Sequence, residues 1–274
     1  MHALVEAASE PVVVLDDERR VVASNIGLPP GRRVGDVDDA LVLFVGALPA
    51  LSAYEELRAG FTAAVSHELR TPLARLLVLL ESATLPGARV DELVEQARQE
   101  IQQARELIDD VLFLGELETG REVVSLGRTV ALPILEEVAR SYADRAEHAG
   151  VDLVVTGGAG VELPLRPRMI RVVAENLVQN AIRYAGQGTT CRVSVEREGP
   201  FAVLAVADDG AGVRESELPR LFERFYRADQ ARTSRGTGLG LAIVKHVVTS
   251  AGGTIEAFSP PGRGLEIVCR FPAS

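Results

Sequence analysis

The sequence predicts an α-helical hairpin that pairs with a second copy into a dimeric four-helix bundle, followed by an α/β sandwich. Three observations carry the prediction. Apolar residues recur at helical spacing from about Leu51 to Leu85 and again from about Arg89 to Glu118, with Pro86-Gly87 breaking the chain between the two runs. Beyond a hinge at Gly115 to Gly120, strand-like alternating segments interleave with amphipathic helical ones, the pattern of helices packed on one face of a mixed sheet. Ahead of the hairpin lies a short β-rich stretch. The expected division is 1–50, 51–118 and 119–274.

Taken in order, PVVVLDDERRVVASN at residues 11–25 reads as two strands around an Asp-Asp-Glu turn. The Gly27 to Asp39 segment is a Pro/Gly- and charge-rich loop. In the first long helix, Tyr54, Leu57, Phe61, Val65, Leu69, Leu73, Leu76 and Leu80 fall on one side at about 100° per residue. His67 projects almost opposite this stripe, with Glu68 beside it and Thr71 one turn further on. Pro72 removes the amide that would bond the Glu68 carbonyl, so a kink is expected at this turn. In the second helix, Val90, Val94, Ala97, Ile101, Ala104, Ile108 and Val111 alternate by four and three, the period of a coiled-coil seam. A hairpin with so wide an apolar face calls for a second copy to cover it, hence a homodimer.

In the second half, strands are expected near 122–126, 151–155, 191–197, 201–207 and 265–271, and helices near 131–148, 167–184 and 239–251. Bulk properties set limits on function. The 274 residues carry a net charge of −10, which argues against an extended nucleic-acid-binding surface. Cys191 and Cys269 sit in strand-like segments as small buried hydrophobes, suited to a reducing compartment. No apolar run approaches the roughly 20 residues needed to span a bilayer. The chain is therefore read as cytoplasmic, with the cytosolic part of a longer membrane-anchored sensor as the alternative.

Three glycine- or asparagine-bearing motifs then follow. In ENLVQNAIRY, Glu175 to Tyr184, Asn176 and Asn180 share a helix face, where amide oxygens suit a hydrated cation such as Mg²⁺. Asp208-Asp209-Gly210-Ala211-Gly212 ends an apolar strand; the carboxylate can accept from an exocyclic amine while the glycines let a flat base approach, although the same string suits a β-turn. Gly236-Thr237-Gly238-Leu239-Gly240 opens a helix, whose backbone amides suit phosphate. It is neither a dinucleotide fingerprint nor a Walker loop.

SHELRTPL at Ser66 to Leu73 resembles the phospho-acceptor box of two-component sensor histidine kinases. The three later motifs, in order, resemble the N box and two glycine boxes of the GHKL (Bergerat) ATP-binding fold, and LFERFYR at Leu221 to Arg227 resembles the kinases' F box. The opening hairpin resembles the start of a PAS sensor domain. Carried across by position, the resemblance implies His67 as the phosphorylated residue, Glu68 as the group orienting it and Thr71 as an aid to dephosphorylating the regulator. It further implies Asn180 as the main Mg²⁺ ligand with Asn176 assisting, and Asp208 as the adenine acceptor with Gly210 and Gly212 packed beside it. Arg183 and Tyr184 would flank ATP, Arg227 would meet its phosphates, and Gly236, Gly238 and Gly240 would shape the lid hinge. Arg166 and Arg235 depart from the family's frequent Asp and Gly. The implied partners are a second copy and a response-regulator receiver domain.

A GHKL-type ATPase or a degenerate dimeric scaffold are the competing readings. The ATPases place a Glu where Asn176 stands, and Glu175 is one residue off, rotated about 100° from that face.

Overall fold

The computed structural model describes residues 62–119, 124, 127–228 and 236–273, together with the backbone of helical residues 51–61 and of two N-terminal strands. The chain divides into two compact units, Met1–Gly60 and Phe61–Ser274. In the first unit, β1 (Val13–Leu15) pairs antiparallel with β2 (Val21–Ser24), matching Val13 to Ser24 and Val14 to Ala23. This is the hairpin expected there. The loop from Gly27 to Asp39 and the remainder of the PAS-like segment lie outside the described residues.

Helix α1 (Leu51–Ala83) runs through Pro72 without a break, and α2 (Val90–Glu118) returns after the Pro86-Gly87 turn, with Gly87 at φ 80°. Glu100, Leu107, Leu114 and Leu117 are the buried residues of α2, the first three spaced by heptads. The expected seam lies elsewhere on the helix: Val90, Val94, Ile101 and Ile108 are exposed, as are Leu73 and Leu80 on α1. A bundle helix has two apolar flanks. The buried row is covered within this chain, while the predicted seam is exposed.

The lower half of α2 joins the core of the α/β part, since Leu107, Leu114 and Leu117 cluster with its buried residues. There, β3 (Thr129–Val130) pairs antiparallel with β5 (Glu162–Leu163). The main sheet has the order β4-β6-β7-β9-β8, in which β4 (Val151–Gly157) runs parallel to β6 (Thr189–Glu198). The remaining pairings, with β7 (Phe201–Asp208), β9 (Glu266–Pro272) and β8 (Thr254–Phe258), are antiparallel. Along β6, Cys191, Val193 and Val195 are buried while Arg192 and Glu196 are exposed, so one face of the sheet meets the helices.

Helices α3 (Leu132–Ala149), α4 (Pro167–Tyr184) and α5 (Gly240–Ser250) cover that face. Helix α4 begins on Pro167, whose fixed φ suits a first turn, and buries Ile170, Val173, Ala174, Leu177, Val178 and Ala181 at three- and four-residue intervals. The mixed sandwich is as expected. Val124, by contrast, has no regular structure, and most of the 122–126 strand expected around it lies outside the described residues. Among the described residues no helix is long and apolar enough to cross a membrane.

Candidate functional site

On α1 the helix turns His67 into solvent, its side chain 75% exposed, with Glu68 Oε1 at 3.7 Å from Nδ1. Thr71 Oγ1 donates to the His67 carbonyl at 3.4 Å. Pro72, next along, is buried. The three residues of the phospho-acceptor box therefore share one exposed turn, as the spacing predicts.

A cavity of about 910 Å³ opens between α4, the end of β7, the start of α5 and the lower part of α2. Asn176, Asn180, Arg183, Tyr184, Asp208, Gly212, Arg227, Gly238 and Gly240 all line it. Gly210, Gly236, His67, Glu68 and Thr71 are not among its lining residues.

Asp208 ends β7 with its carboxyl fixed by backbone: Oδ1 accepts from the Gly210 amide at 2.9 Å and the Leu265 amide at 3.3 Å. Oδ2 takes no part in these two bonds. Burial pushes the Asp208 carboxyl above the usual carboxylate range, opposed by these two hydrogen bonds and reinforced by Asp209. The turn after it is held by Asp209, whose Oδ1 accepts from the Thr190 amide at 2.6 Å. A Cβ on Gly210 would lie 2.4 Å from the Ala185 carbonyl oxygen, so only glycine lets this turn press against the end of α4. Gly212 takes φ 71°, a left-handed conformation.

On α4, Asn176 Nδ2 donates to the Val172 carbonyl at 2.8 Å, leaving Oδ1 as the amide atom directed at Gly240. A Cβ at Gly240 would stand 2.5 Å from that oxygen and close it off. Asn180 lies one helical turn on, also facing the cavity. Two amide oxygens beside a phosphate-sized space suit Mg²⁺, which keeps several waters and takes its other oxygens from phosphates rather than from a carboxylate cage. Among the described residues no such cage of three or more acidic, His or Cys side chains is present.

Several lining residues escaped the sequence reading. Asp110, Glu106, Asp109, Phe113 and Glu116 reach the cavity from α2, and Tyr142 and Arg145 from α3. Asp110 bore a signal, because it shares a helix face with Leu107 and Leu114 and so interrupts an apolar row with an acid. Gly264 was also missed. It sits at φ 73° where a Cβ would fall 2.0 Å from the Asp208 carbonyl oxygen, in the tight Pro-Gly-Arg-Gly turn that delivers the Leu265 amide. Glu175 does line the cavity despite its rotation from the asparagine face, because the cavity is wide enough to take in both. Burial raises its carboxyl above the usual range, with Arg171 pulling the other way.

Comparison with known proteins accounts for both halves of this arrangement. Residues 57–120 match the His Kinase A (phospho-acceptor) domain, and residues 166–274 match the histidine kinase-, DNA gyrase B- and HSP90-like ATPase family. The chain is 33% identical over 218 residues to sensor protein IrlS of Burkholderia pseudomallei, covering 78% of this chain and 47% of that one. It is 31% identical over 238 residues to sensor-like histidine kinase SenX3 of Mycobacterium tuberculosis, covering 85% and 58%. With the phosphate regulon sensor protein PhoR of Pseudomonas aeruginosa it shares 36% identity over 225 residues, 79% and 50%. The chain spans about half the length of the curated relatives it matches. Among solved structures, Acinetobacter baumannii histidine kinase AdeS superposes with TM-score 0.62 at 23% identity, over 76% of this chain and 98% of that one. Histidine kinase ThkA, solved in complex with response regulator protein TrrA, gives 0.64 at 16% identity over 100% and 98%, a likeness of fold. The chain belongs to the two-component sensor histidine kinases.

Proposed function

We propose that this chain phosphorylates its own His67 from Mg-ATP and passes the phosphoryl group to an aspartate on a response-regulator receiver domain. The observation that carries the proposal is the lining of the cavity, which gathers Asn176, Asn180, Asp208 and the glycine loop from three separate elements around one nucleotide-sized space.

In this reading Asp208 takes the adenine amine, and Arg183, Tyr184 and Arg227 flank the phosphates. Asn180, assisted by Asn176, holds Mg²⁺, which when bound neutralises charge on the phosphates. Glu68 favours the tautomer of His67 with its proton on Nδ1, which leaves the Nε2 lone pair for attack. A bond forms from Nε2 to the γ-phosphorus as the bond to the β,γ-bridging oxygen breaks, releasing ADP. Glu68 then stabilises the imidazolium charge, or accepts its Nδ1 proton. The phosphoryl group leaves Nε2 for the regulator's carboxylate. Thr71, on the same turn, positions a water for the reverse task of clearing the phosphorylated regulator.

The homodimer belongs to the same proposal: Leu73, Leu80, Val90, Val94, Ile101 and Ile108 leave apolar faces of the hairpin uncovered in a single chain. Residues 1–50 serve as a short PAS-like input segment, 51–118 as the dimerisation and phosphotransfer hairpin and 119–274 as the catalytic part. The proposed location is the cytoplasm, either free or beneath a membrane anchor.

One observation favours a second reading, ATP hydrolysis. Glu175 lines the cavity with a carboxyl made more basic by burial. Incubation with γ-labelled ATP and Mg²⁺ separates the two. Transfer predicts acid-labile, alkali-stable label that disappears in His67→Gln and survives in Glu175→Gln; phosphate release that needs Glu175 and ignores His67 points to hydrolysis.

A further inference from the structure

Among the acidic side chains that α2 brings to the nucleotide cavity, Asp110 is bonded to the glycine loop. Thr237, in the glycine loop, donates from Oγ1 to Asp110 Oδ2 on α2 at 2.8 Å, and the Leu239 amide donates to the same Thr237 oxygen at 3.2 Å. Leu239 immediately precedes α5. The relay therefore runs from the amide end of that helix, through a hydroxyl, to a carboxylate belonging to a different part of the chain. Helix amide ends and glycine loops suit anions, and here the anion is Asp110.

The surroundings are arranged for an exchange of anions. Burial raises the Asp110 carboxyl above the usual carboxylate range and Glu106 and Asp109 add to this, while the Thr237 hydrogen bond and, more weakly, Arg183 favour its charged form. A Cβ at Gly236 would approach Arg183 Nη1 to 2.6 Å, so the same guanidinium also lies against the glycine loop. Glu106, Arg183 and Gly236 share a second groove on the outer side of this contact. Nearby, Arg224 pairs with Glu118 at the end of α2, and Phe113 is overlaid by Arg168, its Cζ 5.3 Å from the ring centroid. The contact is thus the polar centre of a broader docking of α2 on the catalytic part. His67 does not line the cavity in this arrangement.

We propose that Asp110 is an intramolecular stand-in for nucleotide phosphate: it latches the glycine loop to the hairpin through Thr237, and the phosphates of a bound nucleotide displace it, freeing the catalytic part to move toward His67. The inference rests on the cavity being an adenine-nucleotide site. Two anions compete for one hydroxyl, one helix end and one arginine, and a catalytic part held by the first is unavailable to the second. The latch lowers apparent affinity by the fraction of molecules it keeps closed.

The test compares binding of ADP and of adenosine to the full chain by calorimetry, in wild type, Asp110→Ala and Asp110→Asn. Adenosine carries the base without the phosphates. Asp110→Ala is expected to bind ADP about tenfold more tightly with adenosine affinity unchanged. Asp110→Asn keeps an acceptor for Thr237 but loses the charge, and is expected to fall between. The autophosphorylation rate at subsaturating ATP should rise in the same order. ADP bound no more tightly by Asp110→Ala than by wild type overturns the latch and leaves the site reading intact, as does an equal gain for adenosine. Wild type that binds no adenine nucleotide overturns both. Matching thermal unfolding of the Asn variant and wild type guards against a folding defect being read as a latch effect.

Discussion

Replacing Asp208 by Asn is expected to separate the proposed recognition of the base from stability of the turn, because both turn amides bond Oδ1. Oδ1 is occupied by the Gly210 and Leu265 amides at 2.9 and 3.3 Å, so the amide oxygen of Asn would keep both bonds. Its NH₂ would then take the place of Oδ2 and face the exocyclic amine of adenine, donor against donor. Loss of a bond to a charged acceptor costs about 1.5–3 kcal/mol, and leaving a buried donor unpaired costs about 1–3 kcal/mol more. Even the low end of that sum, about 2.5 kcal/mol, lowers affinity on the order of 100-fold. Stability should move the other way. Burial raises the Asp208 pKa in the folded state above its ordinary value of 3.8, so the unfolded chain loses the proton first as pH rises. Between the two pKa values the folded state holds more protons, and stability falls with rising pH through that window. Above it the ionised carboxylate is a standing cost that Asn lacks. Asp208→Asn should therefore melt at or above the wild-type temperature at pH 7, with its advantage shrinking toward pH 4, while calorimetry shows ADP binding weakened ~100-fold. A variant that binds ADP within threefold of wild type, or that melts lower at pH 7 without binding it, would refute the division of labour between the two oxygens.

Three further substitutions probe packing rather than recognition. Gly210→Ala places a methyl within 2.4–2.8 Å of three Ala185 backbone atoms, none of which can rotate away. It should cost about 1–3 kcal/mol and lower ADP affinity through movement of the Asp208 turn, read by denaturant unfolding and calorimetry; an unchanged midpoint would mean that the turn and α4 part freely. In the hairpin, Glu100 is 7% exposed, its Oε1 is 3.5 Å from the half-exposed Arg75, and its Oε2 has no hydrogen-bond partner among the described residues. A buried carboxylate held this loosely is a poor substitute for an apolar side chain, so Glu100→Leu should raise the melting temperature whereas Arg75→Ala lowers it. Destabilisation by Glu100→Leu would show that the acid has a partner that a single chain does not contain.

The parts of the fold written in the sequence were those in which local pattern and tertiary burial agree. Helix α4 starts on Pro167 and carries an unbroken three-four apolar row, so propensity, boundary signal and packing coincide. Strand β8 was missed for the opposite reason. Thr254–Phe258 is a five-residue edge strand, its residues alternating only between exposed and half-buried, and its pairing with β9 comes from tertiary contact rather than from composition. The two-residue strands β3 and β5 have no period to detect. At the site, the legible residues were those on contiguous motifs, where glycines and amides stand at fixed intervals along one helix or turn. Asp110, Tyr142 and Arg145 join the cavity because α2 and α3 pack beside it, and their neighbours in sequence describe ordinary amphipathic helix. The seam of α2 is apolar, yet Val90, Val94, Ile101 and Ile108 are exposed in the single chain, so the coiled-coil seam expected there rests on the proposed dimer.

The contrast between the two reacting centres limits how catalysis is shared between them. Asp208 is half-buried and bound by backbone amides, whereas His67 stands in water with one carboxylate 3.7 Å from its ring. In the proposed reaction His67 must meet in turn the catalytic part, a regulator and attacking water; such a residue cannot be enclosed, and so cannot be activated by a dry environment. The nucleophile then contributes little more than a tautomer and a lone pair. Selectivity and rate must come from how the nucleotide-loaded cavity is brought to it, since positioning supplies most of the barrier reduction in phosphoryl transfer. The surface that governs that approach is the lower part of α2, where Leu107, Phe113, Leu114, Leu117, Glu118 and Asp110 meet the catalytic part far along the chain from His67. On the proposed function an input signal therefore need not reach the histidine at all: a small rotation of α2 would change the docking of the catalytic part and leave the chemistry of His67, Glu68 and Thr71 the same.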